Sequence, residues 1–142
     1  KRKVEDLTKK YHLEGIVNLK GYTNDVASVY NDAQIFGLTS VMEGFDLAIM
    51  EAISHGVVGV TYDVNYGPND IIQDGKNGYV VDFNDWHAIA DRMLKLFKNP
   101  QLMQKMSDGA YESANRYSPD SVWQDWNKLL TDAKQTLKGS EK

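Results

Sequence analysis

Short apolar runs alternate with amphipathic stretches along the first part of the chain. Apolar residues at helical spacing predict one helix over residues 4–11, a second that begins after a cap at Asn24 or Asp25, and a third over Leu47–Ser54. The runs between them are short and mostly apolar, which is typical of strands in a parallel sheet that is covered on both faces. We therefore predict an α/β fold with a parallel sheet of about four strands, at residues 16–19, 35–38, 57–61 and 79–81.

The pattern becomes wholly helical after residue 82. It predicts a helix over residues 85–98, a second that begins at Pro100, and a third that begins at Pro119. Trp123 and Trp126 share one face of the third helix, which predicts that they pack into a core. We interpret the chain as a single partial domain in three parts. These are a truncated Rossmann-like part (1–82), a helical cover (83–117), and a last helix with a polar tail from Lys138 (118–142).

Composition and charge exclude several classes of function. The chain has 142 residues, with 16 Lys and Arg against 20 Asp and Glu, and this acidic balance argues against a nucleic-acid partner. No apolar run approaches the ~20 residues of a membrane-spanning helix, and the absence of cysteine excludes a thiolate zinc site. The histidines share no metal-ligand spacing, so we predict no metal. These features predict a soluble, cytoplasmic chain.

The candidate chemistry lies where the predicted strands end. Parallel sheets bind ligands outside the carboxyl ends of their strands, which directs attention to the loops 20–24, 39–46 and 62–69. Glu43 and Glu51 bracket the start of the third predicted helix, where main-chain amides offer a site for phosphate. A carboxylate that accepts two adjacent hydroxyls can hold a sugar or a ribose, although the same spacing also fits two ordinary solvated carboxylates.

The run EGFDLAIMEA at residues 43–52, followed by Ser54-His55-Gly56, resembles the E-x7-E motif of retaining glycosyltransferases with the GT-B fold (family 4, group 1). The similarity reaches a Gram-positive subgroup that includes poly(glycerol-phosphate) α-glucosyltransferases and the glycosyltransferases of serine-rich adhesins. It continues in four further segments, at residues 17–21, 29–33, 62–68 and 74–81.

The resemblance implies a role for each matching residue of the donor-binding, C-terminal domain. Glu43 would contact the donor sugar beside the reacting carbon, which makes it the catalytic candidate, and Glu51 would bind the ribose hydroxyls. Gly21 and Tyr22 would border the base. The loop from Gly44 onward would lie near the sugar and the diphosphate, through the main chain of Gly44, Phe45, Asp46 and Leu47.

The implied reaction is transfer of a hexose or N-acetylhexosamine from a UDP-sugar to a cell-wall polymer such as teichoic acid, a glycan or a protein. UDP-glucose and UDP-N-acetylglucosamine are the expected donors, with no metal and no cofactor. The chain resembles about the last third of such an enzyme, so we expect the N-terminal acceptor domain and the diphosphate-gripping Arg and Lys to be missing. We expect this chain alone to be inactive, and the parent protein to be able to associate peripherally with membranes.

An alternative interpretation is a non-catalytic module that binds a nucleotide or sugar phosphate, or that serves oligomerisation. Asp46 favours it, because the family usually has Gly there and an aspartate can cap the helix and compete with phosphate. The resemblance also implies that two strands which normally begin this domain are missing, and their absence would expose a sheet edge and invite self-association. A phosphate-receiver domain is a third candidate, but the acidic pocket at its first strand end is lacking.

Overall fold

A computed structural model describes residues 2–139, with side chains as far as residue 136. The predicted polar tail extends into residues 140–142, which lie outside this described part. The helices are α1 (Arg2–Lys10), α2 (Val26–Asn31), α3 (Leu47–Ser54), α4 (Pro68–Ile71), α5 (Trp86–Phe97), α6 (Pro100–Ala114) and α7 (Pro119–Gly139), with a short 3₁₀ helix at Asn115–Tyr117. The strands are β1 (Ile35–Leu38), β2 (Val58–Tyr62) and β3 (Gly78–Val81).

The three strands form one parallel sheet in the order β1-β2-β3. Phe36 of β1 is in register with Gly59 of β2, and Val60 of β2 is in register with Tyr79 of β3. All five residues of the central strand are buried, because helices cover both of its faces. The predicted α/β class is confirmed, and three of the four predicted strands lie within one residue of their predicted positions.

The prediction of a strand at residues 16–19 is wrong. The amides of Ile16 and Val17 both donate to the carbonyl of Leu13, at 3.0 and 2.9 Å, so a local turn uses the hydrogen bonds that a strand ladder would need. Ile16 is 78% exposed, and the segment makes only an isolated bridge between Glu14 and Val17. An apolar run becomes a strand only when a neighbouring strand accepts its ladder, and none does so among the described residues.

The core lies on both faces of β2, whose side chains alternate between them. One face packs against α5 and α6, and the other packs against α3 and the segment around α4. The first cluster includes Val58, Val60, Ile89, Leu96 and Met106, and the second includes Ile49, Ile53, Ile71 and Ile72.

The two end helices lie outside this core. No residue of α1 is buried, and Trp123 and Trp126 of α7 are 64% and 54% exposed. The prediction that the two tryptophans pack into a core is therefore wrong for the described chain. Their helical spacing correctly predicts one apolar face, but a face becomes core only where another element covers it.

Candidate functional site

The N-terminus of α3 is capped by Asp46. One carboxylate oxygen of Asp46, Oδ1, accepts a hydrogen bond from the amide of Ile49 at 3.1 Å, and the amide of Leu47 donates to the carbonyl of Phe45, also at 3.1 Å. Aspartate is favoured at this position because its short side chain reaches the unpaired amides of the first turn. The sequence offers these amides either to phosphate or to a cap at Asp46, and in the structure the Asp46 side chain accepts from one of them, that of Ile49.

The Asp46 carboxylate is buried and incompletely paired. The residue is 4% exposed, and its second oxygen, Oδ2, has no hydrogen-bond partner among the described residues. Burial raises the pKa of the Asp46 carboxyl, and the nearby Glu43 carboxylate raises it further, while backbone hydrogen bonds from Ile49 and Ala48 oppose the shift. Glu43 therefore lies close enough for its charge to disfavour ionisation of Asp46.

This raised pKa predicts a pH-dependent gain in stability from Asp46→Asn. The Asp46 carboxyl of the folded chain keeps its proton to a higher pH than that of the unfolded chain, which titrates at the ordinary pKa of 3.8. The contribution of this group to folding stability is therefore complete below about pH 3.8 and is lost as the pH rises through its folded-state pKa. Asparagine caps equally well without the buried charge. We expect the variant to be about 1 kcal/mol more stable at pH 7, with no advantage near pH 3.5, in chemical denaturation at both pH values. An equal advantage at both would contradict this account.

The loops that follow β1 and β2 meet over this site. A Cβ atom on Gly67 would lie 2.5 Å from the carbonyl oxygen of Gly44 and 3.4 Å from the amide nitrogen of Asp46. Gly67 also has a φ of +113°, which side chains rarely permit. The sequence predicts that the 39–46 and 62–69 loops share one edge of the sheet, and this contact brings them together there.

Glu51 lies one turn further along α3 and is exposed between two open cavities. The smaller, which we name the α2 cavity, has a volume of about 240 Å³ and is lined by Val26, Ala27, Tyr30, Glu51 and His55. A carboxylate, an imidazole and a phenol ring thus surround one concave surface. Such a mixture of apolar wall and few polar groups is typical of small-molecule sites.

The larger cavity, which we name the α6 cavity, has a volume of about 370 Å³ and lies on the other side of Glu51. Its wall is anchored by Tyr117, whose hydroxyl donates to the Asp70 carbonyl at 2.8 Å and whose ring meets that of Phe45 edge to face at 6.1 Å. It is lined by Leu47, Met50, Glu51, Ser54, Tyr111, Ala114, Asn115, Tyr117 and Ser118.

Tyr30 joins α2 to α3 at the floor of the α2 cavity. It is buried, and its hydroxyl donates to the Ala48 carbonyl at 3.1 Å. Burial raises the pKa of Tyr30, and the charges of Glu51 and then Asp46 raise it further, so both carboxylates lie near this ring. The His55 ring lies 5.7 Å from that of Tyr30, tilted by 31°, and its Nδ1 is 2.7 Å from Oδ1 of Asn31. This network fixes the position of Glu51 relative to α2.

The structure brings together only part of the predicted site. Glu43, Asp46 and Glu51 converge around the first two turns of α3, whereas Tyr22 is 91% exposed and lines neither cavity beside Glu51. A Cβ atom on Gly21 would meet nothing within 4 Å. Both residues lie in the irregular segment before α2, outside the strands of the sheet.

Sequence reasoning missed the roles of Tyr30, Gly67 and Tyr117. Their contacts join residues that are far apart in the chain, such as the 47 residues that separate Tyr117 from Asp70, and local periodicity carries no such information. For Gly67 a signal existed, since Gly-Pro at the end of a loop marks a tight turn. His55 is the C-cap of α3.

The described residues carry neither a candidate metal cluster nor a candidate membrane span. Within residues 2–139, no group of three or more His, Cys, Asp or Glu side chains could hold a metal ion. No helix in the same range combines the length and the apolar character needed to cross a membrane.

Comparison with known proteins identifies the family. The model of the family "Glycosyl transferases group 1" matches residues 1–113. A poly(glycerol-phosphate) alpha-glucosyltransferase of Bacillus subtilis (strain 168) is 37% identical over 126 residues, which is 89% of this chain and 18% of that protein. A poly(ribitol-phosphate) alpha-N-acetylglucosaminyltransferase of Staphylococcus aureus (strain COL) is 33% identical over 131 residues, or 92% of this chain and 27% of that protein.

A solved relative has the same fold. The crystal structure of the pneumococcal O-GlcNAc transferase GtfA, in complex with UDP and GlcNAc, matches 91% of this chain and 26% of its own, with 26% identity and a TM-score of 0.77. The chain thus spans about a fifth to a quarter of the length of these relatives. The resemblance seen in the sequence is confirmed, and the chain belongs to the group 1 family of glycosyl transferases, which have the GT-B fold.

Proposed function

We propose that this chain forms part of the donor-binding domain of a retaining glycosyltransferase that uses a UDP-sugar. The observation that carries the proposal is the convergence of Glu43 and Glu51 around the start of α3, at the carboxyl edge of a parallel sheet. A related enzyme of the same fold has been crystallised with UDP and GlcNAc, which supports a uridine nucleotide as the ligand.

In this proposal Glu51 holds the ribose. Its carboxylate is exposed on α3 and borders the α2 cavity, so both oxygens are able to accept hydrogen bonds from the two adjacent hydroxyls of a ribose. The buried ring of Tyr30 and the cap at His55 support the same wall. The cavity of about 240 Å³ is large enough for a nucleoside fragment rather than for a whole sugar nucleotide.

Glu43 is the catalytic candidate of this proposal. It is half-buried in the loop before α3 and lies close enough to Asp46 to act on its charge. Glycosyl transfer passes through a transition state with positive charge on the sugar ring, which a fixed carboxylate stabilises. Retention of the anomeric configuration in this fold is consistent with attack by the acceptor on the same face of the sugar from which the leaving group departs. We therefore assign no covalent nucleophile.

The donor sugar and the acceptor are assigned only by class. Glucosyl and N-acetylglucosaminyl transferases both occur among the relatives, and the names of two of them specify polyol-phosphate polymers as substrates. We propose glucose or N-acetylglucosamine as the transferred sugar and a cell-wall polymer as the acceptor. In such an enzyme an N-terminal domain would bind the acceptor, and we expect the present chain alone to be inactive.

The rival function is a nucleotide-binding module without catalysis. It is favoured by one observation, that Asp46 supplies its own carboxylate to the amides of α3. Both functions require nucleotide binding at Glu51, and they differ in turnover. Release of UDP from UDP-glucose or UDP-N-acetylglucosamine by the full-length parent, lost in Glu43→Gln, would favour the transferase.

Glu51→Gln is expected to weaken UDP binding at least tenfold. A hydrogen bond to a charged group is worth about 1.5–3 kcal/mol when its partner is lost, and the amide retains the shape of the side chain without its charge. Calorimetric titration of the chain with UDP measures the change. Glu112→Gln, the same substitution on the exposed face of α6, is the matched control and should bind UDP as the wild type does. Equal binding by both variants would show that the nucleotide lies elsewhere.

A further inference from the structure

We propose that Asp46 is a specificity-determining residue that closes the anion site of α3 with its own carboxylate, so that the donor diphosphate binds well only when this carboxylate is neutral. The inference rests on the proposed nucleotide-binding function and concerns the phosphate part of the same site. It follows from the cap geometry, the burial of the carboxylate and the charges around it.

Two of the first amides of α3 already have acceptors within the protein. A helix N-terminus attracts phosphate because its first amides lack partners. In α3, the amide of Ile49 donates to Asp46 Oδ1 at 3.1 Å and that of Leu47 donates to the Phe45 carbonyl at 3.1 Å. A phosphate that binds here must share or displace acceptors that the protein already provides.

The second step concerns the carboxylate itself. Asp46 is 4% exposed, and its Oδ2 atom has no partner among the described residues. The loop above packs against the main chain that carries it, since a Cβ atom on Gly67 would lie 2.5 Å from the Gly44 carbonyl oxygen and 3.4 Å from the Asp46 amide nitrogen. An ionised carboxylate held this way repels an approaching anion, and weak solvation leaves that repulsion poorly screened.

The third step concerns the surrounding charges. The charge of Glu43 raises the pKa of the Asp46 carboxyl. On α2, the titratable group is Tyr30, whose pKa is raised by the charges of Glu51 and then Asp46. From the loop packed above, the contact is made by Gly67, which has no side chain. In the part of the chain that the structure describes, no Lys or Arg lines the two cavities beside Glu51. Three carboxylates therefore oppose a diphosphate at this end of α3.

Protonation of Asp46 removes the closest of these charges. Burial, followed by the charge of Glu43, already raises the pKa of this carboxyl, so it takes up a proton at a higher pH than an ordinary aspartate does. Binding and protonation are linked reciprocally: if the neutral form binds UDP better, bound UDP must raise the pKa of Asp46 further. Uridine has no phosphate and should show neither effect.

The test compares UDP, uridine and pyrophosphate as ligands of the wild type and Asp46→Asn. Asparagine retains an acceptor for Ile49, so the cap survives and only the charge is lost. We expect the variant to bind UDP and pyrophosphate about tenfold more tightly at pH 8, equivalent to 1.4 kcal/mol, and uridine unchanged. As the pH falls to 3.8, the ordinary pKa of an aspartate, and below, the two proteins should converge. The titration of UDP's own phosphates cancels because it is common to both.

A matched control and a second readout keep the test decisive. Asp85→Asn changes the cap of α5, where the side chain accepts from Ala88 at 2.9 Å, and should leave all three ligands unaffected. In the wild type, the carboxyl carbon resonance of Asp46 should titrate at higher pH with UDP present, a measurement that needs no variant.

The outcomes separate this inference from the proposed function. If uridine and UDP bind through Glu51 but Asp46→Asn leaves UDP affinity unchanged or lower, the inference is overturned and the proposed function stands. If neither ligand binds either protein at any pH, both fall. Tighter binding of UDP and pyrophosphate by the variant, with uridine unchanged, supports the inference.

Discussion

Replacing Gly67 by alanine should destabilise the chain by about 3 kcal/mol or more and weaken UDP binding. A φ of +113° costs a residue with a side chain roughly 1–3 kcal/mol. The new Cβ would also lie 2.5 Å from the Gly44 carbonyl oxygen, a contact that only a shift of the main chain can relieve. That shift would move the loop that carries Glu43 and Asp46. Chemical denaturation and a UDP titration of the same variant measure the two effects.

Gly75→Ala is the matched control for this substitution. Gly75 also has a positive φ, +77°, but a Cβ atom there meets nothing within 4 Å. It should therefore show only the conformational cost, about 1 kcal/mol, and unchanged UDP binding. If the two variants lost the same stability, the contact between Gly67 and Gly44 would contribute nothing.

Replacing Asn77 by alanine should destabilise the chain by about 2–4 kcal/mol. Asn77 is fully buried, its side-chain amide donates to the Ile71 carbonyl at 3.0 Å, and its Oδ1 atom accepts from the Gln73 amide at 2.7 Å. Alanine would leave the buried Ile71 carbonyl and the part-buried Gln73 amide without these partners, at a cost of about 1–3 kcal/mol for each group that stays unsatisfied. Since these bonds tie α4 to the turn before β3, thermal and chemical denaturation should both report the loss.

Lys76→Ala tests whether the effect belongs to Asn77 rather than to the turn. Lys76 precedes it in the same turn and is exposed, so its loss should change stability by no more than ~0.5 kcal/mol. A near-neutral Asn77→Ala would show that water replaces the amide without penalty, which would contradict its burial.

Elements with local signals could be predicted from the sequence. Asp46 and Asp85 cap α3 and α5 with their side chains, and Pro100 begins α6, because caps and first-turn prolines act within a few residues. The strands at 35–38, 57–61 and 79–81 were predictable for a related reason, since each is a short apolar run between clear breaks. The failure at 16–19 shows the limit of this signal, because pairing depends on a neighbour that no periodicity reveals.

The sequence names candidate residues for the site and says less about their arrangement. Glu43 and Glu51 follow from a motif, and the occupied amide of Ile49 follows from the local cap at Asp46. The contacts of Tyr30 with Ala48 and of Gly67 with Gly44 join separate loops and helices. Only the packed chain decides such contacts, and here they determine the shape of the site around Glu51.

The most direct test of the central claim is a map of the UDP-binding surface. Backbone amide resonances of the ¹⁵N-labelled chain, followed during a titration with UDP, report which residues the nucleotide approaches. We predict the largest shifts at residues 43–51 and along the α2 residues Val26, Ala27 and Tyr30, all abolished in Glu51→Ala. Shifts confined to the exposed face of α7, around Trp123 and Trp126, or shifts unchanged by the substitution, would contradict a donor site at the start of α3.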